Sequence, residues 1–95
     1  MEMPNLPIFA ALGQQTRWRT FDLLLGAGEC GMLQGEIAKS LGIDKNLMST
    51  HLKILREAGL VASEKNGREV TYRVTPAVAR EAASTMLKAI DGARA

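Results

Sequence analysis

The chain has 95 residues, 46% hydrophobic, 23% charged and only 4% aromatic, with a net charge of +2 and one cysteine. This composition excludes a disordered chain, and a lone Cys30 excludes an internal disulfide and suits a reducing compartment. No apolar run approaches the ~20 residues of a membrane span, and the opening MEMPNLPIFAAL has no basic segment ahead of its apolar stretch, so a cytoplasmic chain without a secretory signal is expected. One domain over 1–95 is the expected organisation. A domain this small buries only about 60–65% of its unfolded surface, which makes association an obvious source of further burial.

Residues 5–12 predict a short first helix, opened by Pro7 and closed at Gly13. Residues 16–25 predict a second, with Thr16 as its cap and Trp18, Phe21, Leu24 and Leu25 on one inward face. Gly26-Ala27-Gly28 ends it. Residues 33–41 predict a third helix with Leu33, Ile37, Ala38 and Leu41 inward and Gly42 as the stop. Asp44 then caps a fourth, 45–58, in which Met48, Leu52 and Leu55 face inward before Gly59. Two helices joined by a short Gly-containing turn are a helix-turn-helix pattern.

After Gly59 the period changes. Residues 60–65 and 69–74 are rich in β-formers, and Asn66-Gly67 between them predicts a hairpin. Thr75-Pro76 reads as the cap and first residue of a last helix, 76–91. The expected fold is mainly α with a β-hairpin wing, in the order α-α-α-α-β-β-α. This is a winged helix-turn-helix with an extra helix at each end.

The stretches ALGQQTRWRTFDLLL (11–25), GEIAKSLGIDKNLMSTHLKILREAGLV (35–61) and NGREVTYRV (66–74) resemble the ArsR/SmtB family of bacterial repressors. The resemblance covers nearly all of residues 8–75. It implies a homodimer built from the first and last helices, a recognition helix in the major groove, a β-wing on flanking DNA, and repression relieved by an inducer. Two positions depart from the family's usual pattern: Gln15, where a Pro is common, and Thr50, where a basic or aromatic residue is common.

The residues themselves point the same way. Between Lys45 and Arg73 the positives are Lys45, Lys53, Arg56, Lys65, Arg68 and Arg73, against Glu57, Glu64 and Glu69, so the surplus lies in the middle third. If Met48, Leu52 and Leu55 face inward, helix 45–58 turns Lys45, Asn46, Ser49, Thr50 and Lys53 outward, with Leu47 beside them. Asn46 suits a bidentate bond to adenine, Leu47 a thymine methyl, and Ser49 and Thr50 bases or phosphates. Lys45, aided by the helix N-terminus, suits phosphate, and Lys53 the backbone. Gln34, His51 and the hairpin-tip residues Lys65, Asn66 and Arg68 complete the expected DNA-contact set, Arg68 as a minor-groove or phosphate contact. The plainer reading of each is a solvated charge, or for His51 a structural imidazole.

The last helix is apolar on more than one face, so Val78, Ala79, Ala82, Met86, Leu87 and Ile90 are expected to pair with a second copy together with Ile8, Phe9 and Leu12. A dimer sets two recognition helices about one DNA turn apart and predicts a pseudo-palindromic operator. The family's Cys-x-Cys metal positions fall at about Leu33 and Gly35, and the last helix has Glu81 and Asp91 but no His, so no metal site and no cofactor is expected. Cys30 is a thiol-sensor candidate or an inert residue, and the inducing signal stays open. No Ser-His-Asp set, phosphate-binding Gly loop or carboxylate pair beside a nucleophile is present, so no enzyme is expected. Two other functions fit the same residues: a protein-contact module and a sequence-blind architectural DNA binder.

Overall fold

The computed structural model describes residues 5–94. Helix α1 (Leu6–Leu12) carries Pro7 in its first turn, where the missing amide is not needed. Helix α2 (Gln15–Ala27) starts one residue earlier than the spacing predicts, because Gln14 rather than Thr16 caps it: the Gln14 side-chain oxygen accepts from the Arg17 amide at 2.8 Å. Thr16 lies inside the helix, where its carbonyl accepts from the Thr20 hydroxyl at 2.7 Å. That bond satisfies Thr20 locally, so this polar residue is fully buried beside Phe21 and Leu24. The inward face is therefore rotated from the expected one, and Trp18 and Leu25 are about half exposed, at 53% and 47%.

A 3-10 turn (Gly28–Cys30) leads to β1 (Met32–Leu33), a two-residue strand that the apolar pattern did not reveal. β1 pairs antiparallel with the second hairpin strand, Met32 opposite Tyr72 and Leu33 opposite Thr71. Gly31 permits the approach: its φ is +67°, and a side chain there would run into the Tyr72 carbonyl. Leu33 thus belongs to the sheet, and α3 (Gln34–Leu41) begins one residue later than expected. Ile37 and Ala38 bury its inner face, and Gly42 closes it in the left-handed conformation.

Asp44 caps α4 (Lys45–Glu57) as predicted, its Oδ2 accepting from the amides of Asn46 and Leu47 at 3.0 and 3.2 Å. Met48, Leu52 and Leu55 are fully buried. Together with Leu24, Ile37 and Leu60 they form the centre of the core.

The hairpin comprises β2 (Val61–Asn66) and β3 (Glu69–Val74), and the sheet order is β1-β3-β2. Asn66 pairs with Glu69, so the two loop residues are Gly67 and Arg68, one position beyond the Asn66-Gly67 turn read from the sequence. Gly67 has φ +67° and, among the described residues, only glycines have a positive φ, which is what a type II′ turn with Gly first requires. α5 (Pro76–Arg94) runs three residues past the expected end. Thr75 anchors its start: the hydroxyl donates to the Gly59 carbonyl, and the amide to the Leu60 carbonyl at 3.0 Å.

Candidate nucleic-acid interface

α4 supplies a two-sided helix. Its inner stripe is sealed in the core, and Lys45, Asn46, Leu47, Ser49, Thr50 and Lys53 are all exposed on the opposite side. Leu47 is half exposed, an apolar spot amid polar groups. The Thr50 hydroxyl lies 3.4 Å from the Asn46 carbonyl one turn back. The amides at the helix start are already engaged by the Asp44 carboxylate, so an incoming phosphate would meet the Lys45 ammonium rather than a bare helix terminus.

The wing comes close to this face. A groove of about 440 Å³ is bounded by Gln34 and Glu36 of α3, Lys45 of α4, and Arg68 and Glu69 at the hairpin tip. Gln34 is half-buried there, whereas Lys65, Asn66 and Arg68 are exposed. Three separate segments therefore converge on one side of the molecule, with Lys45 and Arg68 as its cations. Arg73, lower on β3, is 3.5 Å from Glu64 and is turned to the wing's own ion pair.

His51 does not belong to this surface. It is 8% exposed and lies on the inner side of α4, its Nδ1 3.3 Å from Nη1 of Arg17. Arg17 in turn donates from Nε to the Ala11 carbonyl at 2.6 Å. The reason is helical geometry: 48, 51, 52 and 55 fall at the spacing of one face, so a helix that buries Met48, Leu52 and Leu55 must turn residue 51 inward too. Burial, and then the Arg17 charge, hold the imidazole below its ordinary pKa of 6.5, so the ring is neutral at neutral pH.

The opposite end of the molecule is apolar. Ile8, Phe9 and Leu12 of α1 line a groove of about 400 Å³ with Ala79, Ala83 and Met86 of α5, and Trp18 and Phe21 form its third wall. Ala82, expected at a partner's surface, is only 3% exposed, because it seats α5 on the chain's own α1 and α2. Val78 and Ala79 are half-buried against the same core. Met86, Leu87 and Ile90, farther along α5, are 56%, 60% and 45% exposed. Leu6, which the sequence pattern did not mark, and Trp18, which it placed inward, extend the exposed apolar set. Cys30 is exposed at the end of the 3-10 turn. Among the described residues no three His, Cys, Asp or Glu side chains cluster as metal ligands, and no helix is long and apolar enough to cross a membrane.

The MarR family model matches residues 14–69, the span from α2 to the wing. The chain is 31% identical over 84 residues to the transcriptional repressor SdpR of Bacillus subtilis, covering 88% of this chain and 90% of that protein. Among solved structures, an ArsR-like transcriptional regulator from Rhodococcus sp. RHA1 is similar at 32% identity with a TM-score of 0.77, over 96% of this chain and 81% of that one. The homodimeric winged helix-turn-helix DNA-binding domain of Mb0332 from Mycobacterium bovis, a possible ArsR-family regulator, is similar at 27% identity and a TM-score of 0.69, over 90% and 77%.

Proposed function

The chain belongs to the ArsR/SmtB family of winged helix-turn-helix transcriptional repressors, and on that premise we propose that it works in the cytoplasm as a homodimer on a pseudo-palindromic operator. The observation that carries this reading is the divided α4: its apolar stripe is consumed by the core, and its outward face holds Asn46, Leu47, Ser49 and Thr50 between two lysines. An α-helix fits the major groove, where amide, hydroxyl and methyl groups distinguish base pairs. Lys45 and Lys53 then bracket the base-reading residues with phosphate contacts, and Arg68 reaches flanking DNA from the wing. Gln34, Lys65 and Asn66 line the approach.

The exposed apolar residues of α5 give the dimer its driving force. Removing Met86, Leu87 and Ile90 from water, with Phe9 and Trp18 alongside, gains roughly 25 cal/mol per Å² of apolar area. A monomer would leave them as an exposed patch. Two copies joined there set a pair of α4 helices about one DNA turn apart. The wing and helix charges act as contacts to the duplex.

Selection of sheared genomic fragments by the purified protein at low and near-physiological salt tests the reading. Enrichment of one inverted repeat upstream of a few genes is the expected result, with log affinity falling by about 0.9 per neutralised phosphate for each log unit of salt. Salt-sensitive binding without enrichment would replace it with an architectural role, and the absence of binding would favour a protein-contact module.

A further inference from the structure

His51 is the chain's one histidine. Its ring lies under the DNA-reading face rather than on it, with Nδ1 3.3 Å from Nη1 of Arg17. Arg17 sits in the first turn of α2, and its Nε donates to the carbonyl of Ala11, near the end of α1. One guanidinium therefore joins α1 to the middle of α4. A guanidinium only donates, so Nδ1 accepts, and the imidazole proton resides on Nε2.

We propose that the Ala11–Arg17–His51 chain is a positioning strut that keeps α4 aligned with α1, and that protonation of His51 breaks it and weakens DNA binding. The inference rests on the DNA-binding reading above, since it concerns how the recognition helix is held against the helix that faces the partner.

The proton's effect follows from the bond's polarity. An imidazolium has N–H at both nitrogens, so Nδ1 then presents a donor to a donor and a cation to a cation. The hydrogen bond is lost and the two groups separate. Arg17 remains held at Nε by Ala11, so the movement falls on His51 and on the helix that carries it. Among the described residues, no carboxylate lies within ion-pair distance of the ring to absorb the charge. α1 has no ionisable side chain. On α2, Arg19 and Asp22 are exposed, as are Glu36 and Lys39 of α3 and Glu64 and Lys65 of β2. On α4 the residues one turn away are Leu47, Met48, Ile54 and Leu55, and Lys53 and Arg56 point to water. Glu57, also exposed, lines a groove with Arg17 farther along the helix.

The sign is fixed by the cost of charging a buried ring beside a cation. The strut is fully present above the unfolded value of about 6.5 and is lost as pH falls through the lower folded value. Because no other histidine exists, no other side chain has its ordinary pKa in that window.

Two measurements test this. Anisotropy of a labelled duplex carrying the selected repeat is followed from about pH 7.5 to about 5.5 at fixed ionic strength. The wild-type affinity is expected to fall about fivefold or more. His51→Asn places an amide oxygen at the Nδ1 position without a titrating group, and its affinity, whatever its value, should be flat with pH. On the unaltered protein, the His51 ring proton is titrated by NMR with and without the same duplex. DNA should lower the His51 pKa by the same coupling that protons exert on DNA affinity, a linkage that a merely structural histidine would not show. A flat wild-type profile, a variant that falls in parallel, or one pKa in both states would each overturn the strut. Failure to bind any duplex at pH ~7.5 would instead contradict the DNA-binding reading, and the strut's role with it.

Discussion

α4 and α5 are both surface helices with apolar and polar sides, and they dispose of them in opposite ways. α4 hides every large inward residue, Met48, Leu52 and Leu55, in its own chain's core and shows water a polar face broken only by Leu47. α5 seats Ala82 on its own chain and leaves Met86, Leu87 and Ile90 outside. The first arrangement leaves a face suited to a polar, charged surface such as a duplex groove. The second leaves a face whose exposure is a cost until another apolar surface covers it. On the proposed function, one helix is finished by folding and the other by association.

Substitutions can break that contrast, beginning with the inner side of α4. Leu52→Ala should lower unfolding free energy by ~2–5 kcal/mol through lost burial and a cavity, whereas Leu47→Ala, on the outer side, should stay within about 0.5 kcal/mol. Urea melts of both variants check this, and equal losses would contradict the two-sided helix. On α5 the expected effect is on assembly: Met86→Glu should yield a monomer by sedimentation and reduce operator affinity by about a hundredfold through lost avidity. A variant that still sediments as a dimer would move the interface elsewhere.

Smaller effects sharpen the picture of the reading face. Asn46→Ala should cost ~1–3 kcal/mol on the cognate site and relax preference at one base position; an equal loss on every sequence would make Asn46 a backbone contact. Arg68→Ala should weaken all duplexes alike and flatten the salt slope by about one unit. An unchanged slope would take the wing off the DNA.

The sequence made α3 and α4 legible because their signals are local and strong. Asp44 accepts from two amides, Gly42 adopts the left-handed stop, and the 48/52/55 stripe matches the helical period. Where the reading failed, tertiary context decided. Thr20 enters the core only because the Thr16 carbonyl takes its hydroxyl, which rotates α2 and leaves Trp18 outside. β1 is two residues long and exists by pairing with a strand forty positions away, so no periodicity marks it. The hairpin loop slipped from Asn66-Gly67 to Gly67-Arg68 because the pairing of Asn66 with Glu69 sets the register, and this puts Arg68 at the tip. The outward residues of α4 followed from the same stripe that defined its core. His51, in the expected DNA-contact set, shares the spacing of Met48 and Leu55 instead, and the Arg17 partner that explains it lies 34 positions away.

The most direct test of the division between a reading helix and a pairing helix is the spacing of the operator's two halves. With half-site centres about 10 bp apart, two α4 helices held by paired α5 faces meet the duplex on one side, and binding should be tightest. Inserting about 5 bp turns the second half-site to the opposite face of the duplex and should reduce affinity to that of a single half-site. Affinity indifferent to the insertion would contradict a rigid dimer joined through α5 and leave α4 reading DNA alone.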